Sequence, residues 1–231
     1  MRLWVTRSRP GADRLAARLR ALGHEVLVDP LTAVVPLRFE PDLDGVTALA
    51  FTSGHGVRRF ADVSPRRDLP VWAIGRETAQ AATEAGFEAV VVSRAHGAAL
   101  AEDMKAQAGR VLWVRGRRVA FDLAKTLAGG KLWVRSAHAY DTRPRPAPDG
   151  LAALGDGRLD GVILQSLGAV EALIDQFGPA DAAPAPAGVA FVPSARVAET
   201  LGAAPFSRIE VADTPDEDGL IALLGKPPAA V

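Results

Sequence analysis

Short apolar runs alternate along the chain with stretches in which leucine and alanine return every three or four residues. Arg2 to Val5 reads as a strand. Pro10 then stands where a first helical turn tolerates proline, and Leu15, Leu19 and Leu22 recur at helical spacing until Gly23 closes the helix. Val26 to Val28 gives the next strand, ended by Asp29-Pro30. The same alternation predicts strands at 47–52, 71–74, 89–92, 111–115, 131–140, 161–164, 189–192 and 208–211. Helical periodicity falls near 54–62, 76–85, 96–108, 118–128, 167–177, 194–202 and 216–224. Strand, helix, strand at this rhythm predicts parallel sheets with helices on both faces, an α/β fold.

The chain also repeats itself. Leu3-Trp4-Val5 returns as Leu112-Trp113-Val114. Phe51-Thr52-Ser53, followed by Val57, corresponds to Leu164-Gln165-Ser166, followed by Val170. Val71-Trp72-Ala73-Ile74-Gly75 corresponds to Val189-Ala190-Phe191-Val192-Pro193. The offsets are 109 (Leu3 to Leu112), 113 (Ser53 to Ser166) and 118 (Val71 to Val189). Three blocks in one order at nearly one offset predict two similar domains, with a cleft between them as the place for a ligand.

Two segments read as connections. Residues 31–41 are extended, with Pro36 and Pro41 disfavouring helix, and residues 142–149 carry Pro144, Pro146 and Pro148 and should be stiff. Far apart in sequence, they are expected to run side by side as a two-stranded hinge. The Pro- and Ala-rich stretch 178–188 reads as a mobile surface loop, and the tail after Gly225 as frayed.

Composition narrows the function. A length of 231 residues fits one large domain or two small ones, and 48% hydrophobic content excludes a disordered chain. Lys plus Arg and Asp plus Glu are 27 each, so bulk charge steers nothing and anion affinity must come from local clusters. Neutral charge and few aromatics argue against nucleic acid as a partner. With no cysteine there are no disulfides, thiolate metal sites or thiol nucleophiles. His24, His55, His96 and His138 lack paired ligand spacing, so no metal site is expected. No nucleophile elbow, Walker loop or dinucleotide fingerprint is present, which also disfavours a nucleotide-dependent enzyme on a flavodoxin-like fold. Arginines crowd the N-terminus too early for a signal-peptide core, and no apolar run approaches the roughly 20 residues of a membrane helix. A soluble, cytoplasmic protein, not attached to a membrane, is expected.

The strand ends carry small polar residues and glycines: Thr6, Thr52-Ser53-Gly54, Gly75 to Thr78, Arg115-Gly116, Gln165-Ser166 and Ser194. In open α/β sheets ligands lie beyond the carboxyl ends of strands, where helix N-termini present unpaired amides to carboxylates or phosphates. Each Ser or Thr also has a plain reading as a helix N-cap worth about 1 kcal/mol. Arg7, Arg9, Arg115, Arg117, Arg118, Arg143 and Arg145 cluster nearby, and arginine's planar fork suits carboxylates. Tyr140 is the only tyrosine, at the end of a predicted strand and just before the proline-rich connection. Its phenol, with an ordinary pKa near 10, can give a proton or hydrogen bond to a leaving hydroxyl, or can simply cap a buried backbone group.

Together these pieces resemble the uroporphyrinogen-III synthase family over nearly the whole chain. The matching residues are Val5-Thr6-Arg7, Gly23, Pro30, Phe51-Thr52-Ser53 with Val57, Ala73-Ile74-Gly75, Thr78-Ala79, Gly86, Val111 to Gly116, and Tyr140 with Thr142. The resemblance implies two flavodoxin-like, parallel-sheet α/β domains joined by a two-stranded linker. One would comprise residues 1–35 and 146–231, the other 36–145, with the active site in the cleft. It further implies a cofactor-independent lyase that closes hydroxymethylbilane, a linear tetrapyrrole rimmed with acetate and propionate groups, inverting the last pyrrole and losing water. By position, Tyr140 matches the family's tyrosine implicated in water loss, and Thr78 a cleft threonine. Ser53 and Ser166 match paired strand-end serines. Thr6, Arg7, Gly75, Arg115, Gly116, Ser194 and Arg196 are the further substrate contacts expected. The second half departs from the family pattern: Leu164-Gln165-Ser166 replaces Phe-Thr-Ser, and Pro193-Ser194-Ala195-Arg196 replaces Gly-x-x-Thr. A monomer is expected, since two domains already make the cleft. The alternative is a non-catalytic two-domain protein that binds a small polyanion or tetrapyrrole.

Overall fold

The computed structural model describes all residues except 94–96, 178–187, 203–205 and 226–231. The loop expected at 178–188, except for Gly188, the tail after Gly225 and His96 lie outside the described residues.

The chain divides into two compact units, Met1–Ala33 with Arg143–Val231, and Val34–Thr142. The first holds β1 (Arg2–Val5), α1 (Gly11–Ala21), β2 (Glu25–Val28), α6 (Pro148–Gly155), β9 (Gly161–Ile163), α7 (Leu167–Phe177), β10 (Val189–Val192), α8 (Ala195–Leu201), β11 (Arg208–Val211) and α9 (Glu217–Gly225). Its strands lie in the order β2-β1-β9-β10-β11, all parallel. Alternation decides which side chains face which layer. Leu3 and Val5 pack with α1 and α9, whereas Trp4 between them packs with α6, α7 and α8.

The second unit holds β4 (Ala48–Phe51), α2 (Gly54–Val63), β5 (Val71–Ile74), α3 (Gly75–Glu84), β6 (Val90–Ser93), α4 (Gly97–Met104), β7 (Gly109–Gly116) and α5 (Leu123–Thr126). Two further strands, β3 (Thr32–Pro36) and β8 (Leu132–Pro144), run through the boundaries between the units. The sheet order is β3-β8-β7-β4-β5-β6, with β8 to β6 parallel throughout. Leu49, Phe51, Leu112 and Val114 pack with α2 and α3; Ala48, Ala50, Trp113 and Leu132 pack with α4 and α5.

Taken as β8-β7-β4-β5-β6, the second sheet has the strand pattern of the first with the chain entering at a different point. The repeated sequence blocks fall on equivalent strands, β1 with β7, β4 with β9 and β5 with β10, and Trp4 and Trp113 are both fully buried. The sequence halves are nonetheless not the two units, because each unit takes strands from both halves.

Several elements differ from expectation. The strand expected at 131–140 continues to Pro144, since β8 still has a neighbour in β3. Leu37 N–H donates to Ala139 O at 3.1 Å, and Arg145 N–H to Leu31 O at 2.9 Å. The stiff connection at 142–149 ends earlier than expected: Pro148 opens α6, taking the first-turn position where a missing N–H costs nothing. The helix expected at 118–128 contracts to α5, whose N-cap Asp122 accepts from Lys125 N–H at 3.0 Å.

Candidate active site

Parallel pairing gathers the carboxyl ends of β4, β5, β7 and β8 at one edge of the second sheet, and Tyr140 stands there. An irregularity in the ladder places it. Arg115 pairs with His138, but the next residue, Gly116, pairs with Tyr140, so Ala139 is an extra residue in β8. Such a bulge re-aims the side chain that comes after it. Gly116 is the partner this requires: a Cβ there would lie 2.8 Å from Tyr140 Cε2 and 3.0 Å from Cζ.

The phenol is buried and hydrogen-bonds with Ser53 and with the backbone of Gly116. Ser53 is also the N-cap of α2, its Oγ accepting from His55 N–H at 3.2 Å. The His55 ring lies 5.7 Å from the Tyr140 ring, centroid to centroid. Burial raises the Tyr140 pKa above the ordinary phenol value, outweighing Ser53, Gly116 and the charges of Arg115 and Arg58, which pull it down. Tyr140 therefore stays protonated through the neutral range.

Because Tyr140 is the only tyrosine, tyrosinate absorbance reports it alone. A pH titration of the folded protein is expected to give a midpoint above about 10. A midpoint at or below that value would contradict the buried phenol. For stability the sign is that of an acid held neutral. The contribution is complete below the unfolded phenol's pKa and is lost as pH rises through the higher folded value.

Tyr140 forms the wall between two recesses. A cavity of about 480 Å³ is lined by Thr52, Ile74, Gly97, Phe121, Leu123 and Tyr140, with Arg118 also on its wall. A smaller one of about 200 Å³ lies on the α2 side. Arg115 stacks over Trp113 at 4.7 Å and donates from Nη2 to His138 Nε2 at 2.9 Å. Burial, then Arg115 and Arg117, push the His138 pKa below its ordinary value, so the ring is neutral at pH 7 and can accept that bond. Gly75 opens α3 at φ +70°, a left-handed conformation that glycine adopts without strain, and Thr78 is buried in the first turn.

The structure thus brings Tyr140, Ser53 and Gly116 into contact, with Arg115 beside them and Gly75 and Thr78 at the next strand end. The remaining expected residues lie in the first unit, at the ends of β1, β9 and β10. Thr6 is fully buried and donates from Oγ1 to Ile163 O at 2.6 Å, tying two strand ends together. Arg7 is engaged by Glu217 at 2.8 Å, a carboxylate also held by Arg18. Ser166 accepts from Ala169 N–H at 3.2 Å as a helix cap. Ser194 makes no side-chain cap bond, and Arg196 is exposed in the first turn of α8.

Sequence reading missed His55, Arg58 and Arg59, which share one recess. The available signal was their position on one face of α2, directly after the Ser53 cap. Among the described residues no group of three or more His, Asp or Glu is placed to hold a metal ion, and no helix is long and apolar enough to cross a membrane.

A family model described as uroporphyrinogen-III synthase HemD matches residues 13–222. Among solved structures, the uroporphyrinogen-III synthetase of Helicobacter pylori superposes with a TM-score of 0.64 at 17% identity, covering 96% of this chain and 98% of that one. A mutant uroporphyrinogen III synthase from the extremely thermophilic bacterium Thermus thermophilus gives a TM-score of 0.56 at 20% identity, covering 97% and 96%. At these identities the structural likeness is one of fold. No curated protein matches the sequence.

Proposed function

Because the chain belongs to the uroporphyrinogen-III synthase family, we propose that it closes hydroxymethylbilane to uroporphyrinogen III, inverting the last pyrrole ring and releasing water. The observation that carries this reading is the family match across residues 13–222. The protonated, buried phenol at the strand ends is consistent with it.

The chemistry is dictated by the substrate. Its terminal hydroxyl must leave as water, breaking a C–O bond and giving an azafulvene. The pyrrole nitrogen supplies the electron pair, so the step asks for no protein nucleophile and no cofactor, and the enzyme is a lyase. The Tyr140 hydroxyl protonates or hydrogen-bonds the departing oxygen. Ser53 and Gly116 hold the phenol in place. The protein's larger task is positioning: the terminal ring must attack through its substituted carbon, whereas the free substrate closes to the uninverted isomer.

Gly75, Thr78, Arg115, Ser166, Ser194 and Arg196 are assigned to the carboxylate-bearing rim of the substrate, through helix-end amides and side chains. Thr6 and Arg7 brace the strand end on which they stand, through Ile163 and Glu217. The two compact units are taken as flavodoxin-like domains. The strand order supports this, and β3 and β8, neighbours in one sheet, are taken as the two-stranded linker.

The test is incubation with hydroxymethylbilane and separation of the product isomers. Uroporphyrinogen III in excess of the protein-free control is expected. Formation of the uninverted isomer alone, at the control rate, would overturn the assignment and leave a binding protein.

A further inference from the structure

The sheet edge that carries Tyr140 also carries a cation held by neutral groups alone. Arg115 of β7 and His138 of β8 are register partners and stand on one face of the sheet, with Trp113 two residues back along β7 on that same face. The Arg115 guanidinium packs over the Trp113 ring, 4.7 Å from its centroid. Nη2 donates to His138 Nε2 at 2.9 Å and, less closely, to Arg117 O at 3.4 Å. The buried Nε has no hydrogen-bond partner. Among the described residues no carboxylate pairs with Arg115, whereas Arg7, Arg66, Arg135 and Arg158 each meet one.

We infer that His138 is a positioning residue, fixing the Arg115 guanidinium at the strand ends for a carboxylate arm of the substrate. The inference rests on the synthase reading and deepens it, since that reading gives Arg115 a carboxylate and leaves His138 without a part.

An imidazole is the anchor that suits this task. A carboxylate in its place would hold the guanidinium as firmly but would neutralise it, and a substrate arm would have to displace it. A neutral ring nitrogen accepts one N–H and leaves the positive charge to the ligand. His138 meets that requirement. Partial burial, then Arg115 and Arg117, keep its pKa below the ordinary value, and no carboxylate among the described residues acts on it. On the other side of β8, β3 carries no ionisable residue. The Trp113 face restricts the plane of the guanidinium, and the bond to Nε2 sets its rotation within that plane. A guanidinium fixed in advance loses less freedom when it takes up a ligand. The Arg115 charge also acts on the Tyr140 phenol, so an arm held there lies on the edge where the leaving group is served.

The test separates binding from turnover. Arg115→Ala is expected to raise KM for hydroxymethylbilane about tenfold, the loss of one charge-assisted contact, while kcat changes less than about twofold. His138→Ala should raise KM about threefold, and adding it to Arg115→Ala should raise KM no further, because the two residues act as one unit. His138→Gln, whose amide oxygen can replace Nε2 as acceptor, should bring KM back to within about twofold of wild type. The bond can also be read without substrate. It requires the His138 proton on Nδ1 and a bare Nε2, a tautomer visible in nitrogen–proton correlation NMR, where the His138 signals are those missing from His138→Gln. That tautomer should lose its dominance in Arg115→Ala. The inference is overturned if Arg115→Ala or folded His138→Ala keeps the wild-type KM, or if the two effects multiply in the double variant. A His138→Gln variant no better than His138→Ala, or a proton on Nε2 in wild type, overturns it equally. A fall in kcat at unchanged KM in His138→Ala would place the ring in the chemistry and would also overturn it. If wild type forms no uroporphyrinogen III, the synthase reading fails and the substrate arm with it, while the spectra still decide whether His138 holds the guanidinium.

Discussion

Tyr140→Phe is expected to lower kcat about a hundredfold, the low end of what a positioned proton donor contributes, with KM nearly unchanged. The ring keeps its place over Gly116 and against His55, so packing survives. What is lost is one hydroxyl and its bonds with Ser53 and the Gly116 backbone, costing about 1–2 kcal/mol of stability. The melting temperature should therefore move little while turnover collapses. Rate and isomer ratio measured together separate two roles. A slow enzyme that still yields the inverted isomer places the phenol at water loss. An unchanged rate and isomer ratio would remove Tyr140 from the mechanism.

The largest stability effect is expected at Gly150→Ala. Gly150 lies in the first turn of α6, directly against the fully buried Trp4 indole. A Cβ there would stand 2.7 Å from Trp4 Cδ2 and closer still to Cε2 and Cζ2. The same corner is fastened by hydrogen bonds. Trp4 Nε1 donates to Asp29 O at 2.7 Å, and Gly150 N–H donates to Asp29 Oδ2 at 3.1 Å. The helix can retreat only by giving up these bonds, so the substitution should cost about 3 kcal/mol, a large part of the roughly 5–15 kcal/mol that holds a domain together. Gly155→Ala, in the same helix, is the control. Nothing lies within 4 Å of its new Cβ, and it should be neutral or slightly stabilising. Urea denaturation midpoints give both values; similar losses in the two variants would show that the indole contact is not the cause.

Much of the α/β layout can be read along the chain because it is local. Strands buried on both faces show as apolar runs, and the runs at 71–74 and 189–192 coincide with β5 and β10. Ser53 before Gly54 marks the start of α2 as a cap residue should. The failures are non-local. Nothing near residues 141–144 announces that β8 continues, because the continuation depends on β3, about a hundred positions away. Proline is ambiguous in the same way: Pro144 ends a strand, while Pro148 starts a helix, and only the packing of the residues after each one separates the cases. Tyr140 is conspicuous as a lone residue type, but its aim depends on a bulge, a register offset with no local signature. His55, Arg58 and Arg59 look like the ordinary solvated side of an amphipathic helix until β3 is placed across from them.

The first unit is assembled from both ends of the chain, with β1 wedged between β2 and β9. On a ribosome adding roughly 5–20 residues per second, β1 and β2 emerge on the order of ten seconds before β9 can reach them. The second unit is one uninterrupted stretch, Val34–Thr142, and is translated in full during that interval. The middle of this protein is therefore the part able to complete its core first. Leu3, Trp4 and Val5, destined for full burial, wait uncovered on the nascent chain as the surface a chaperone would meet.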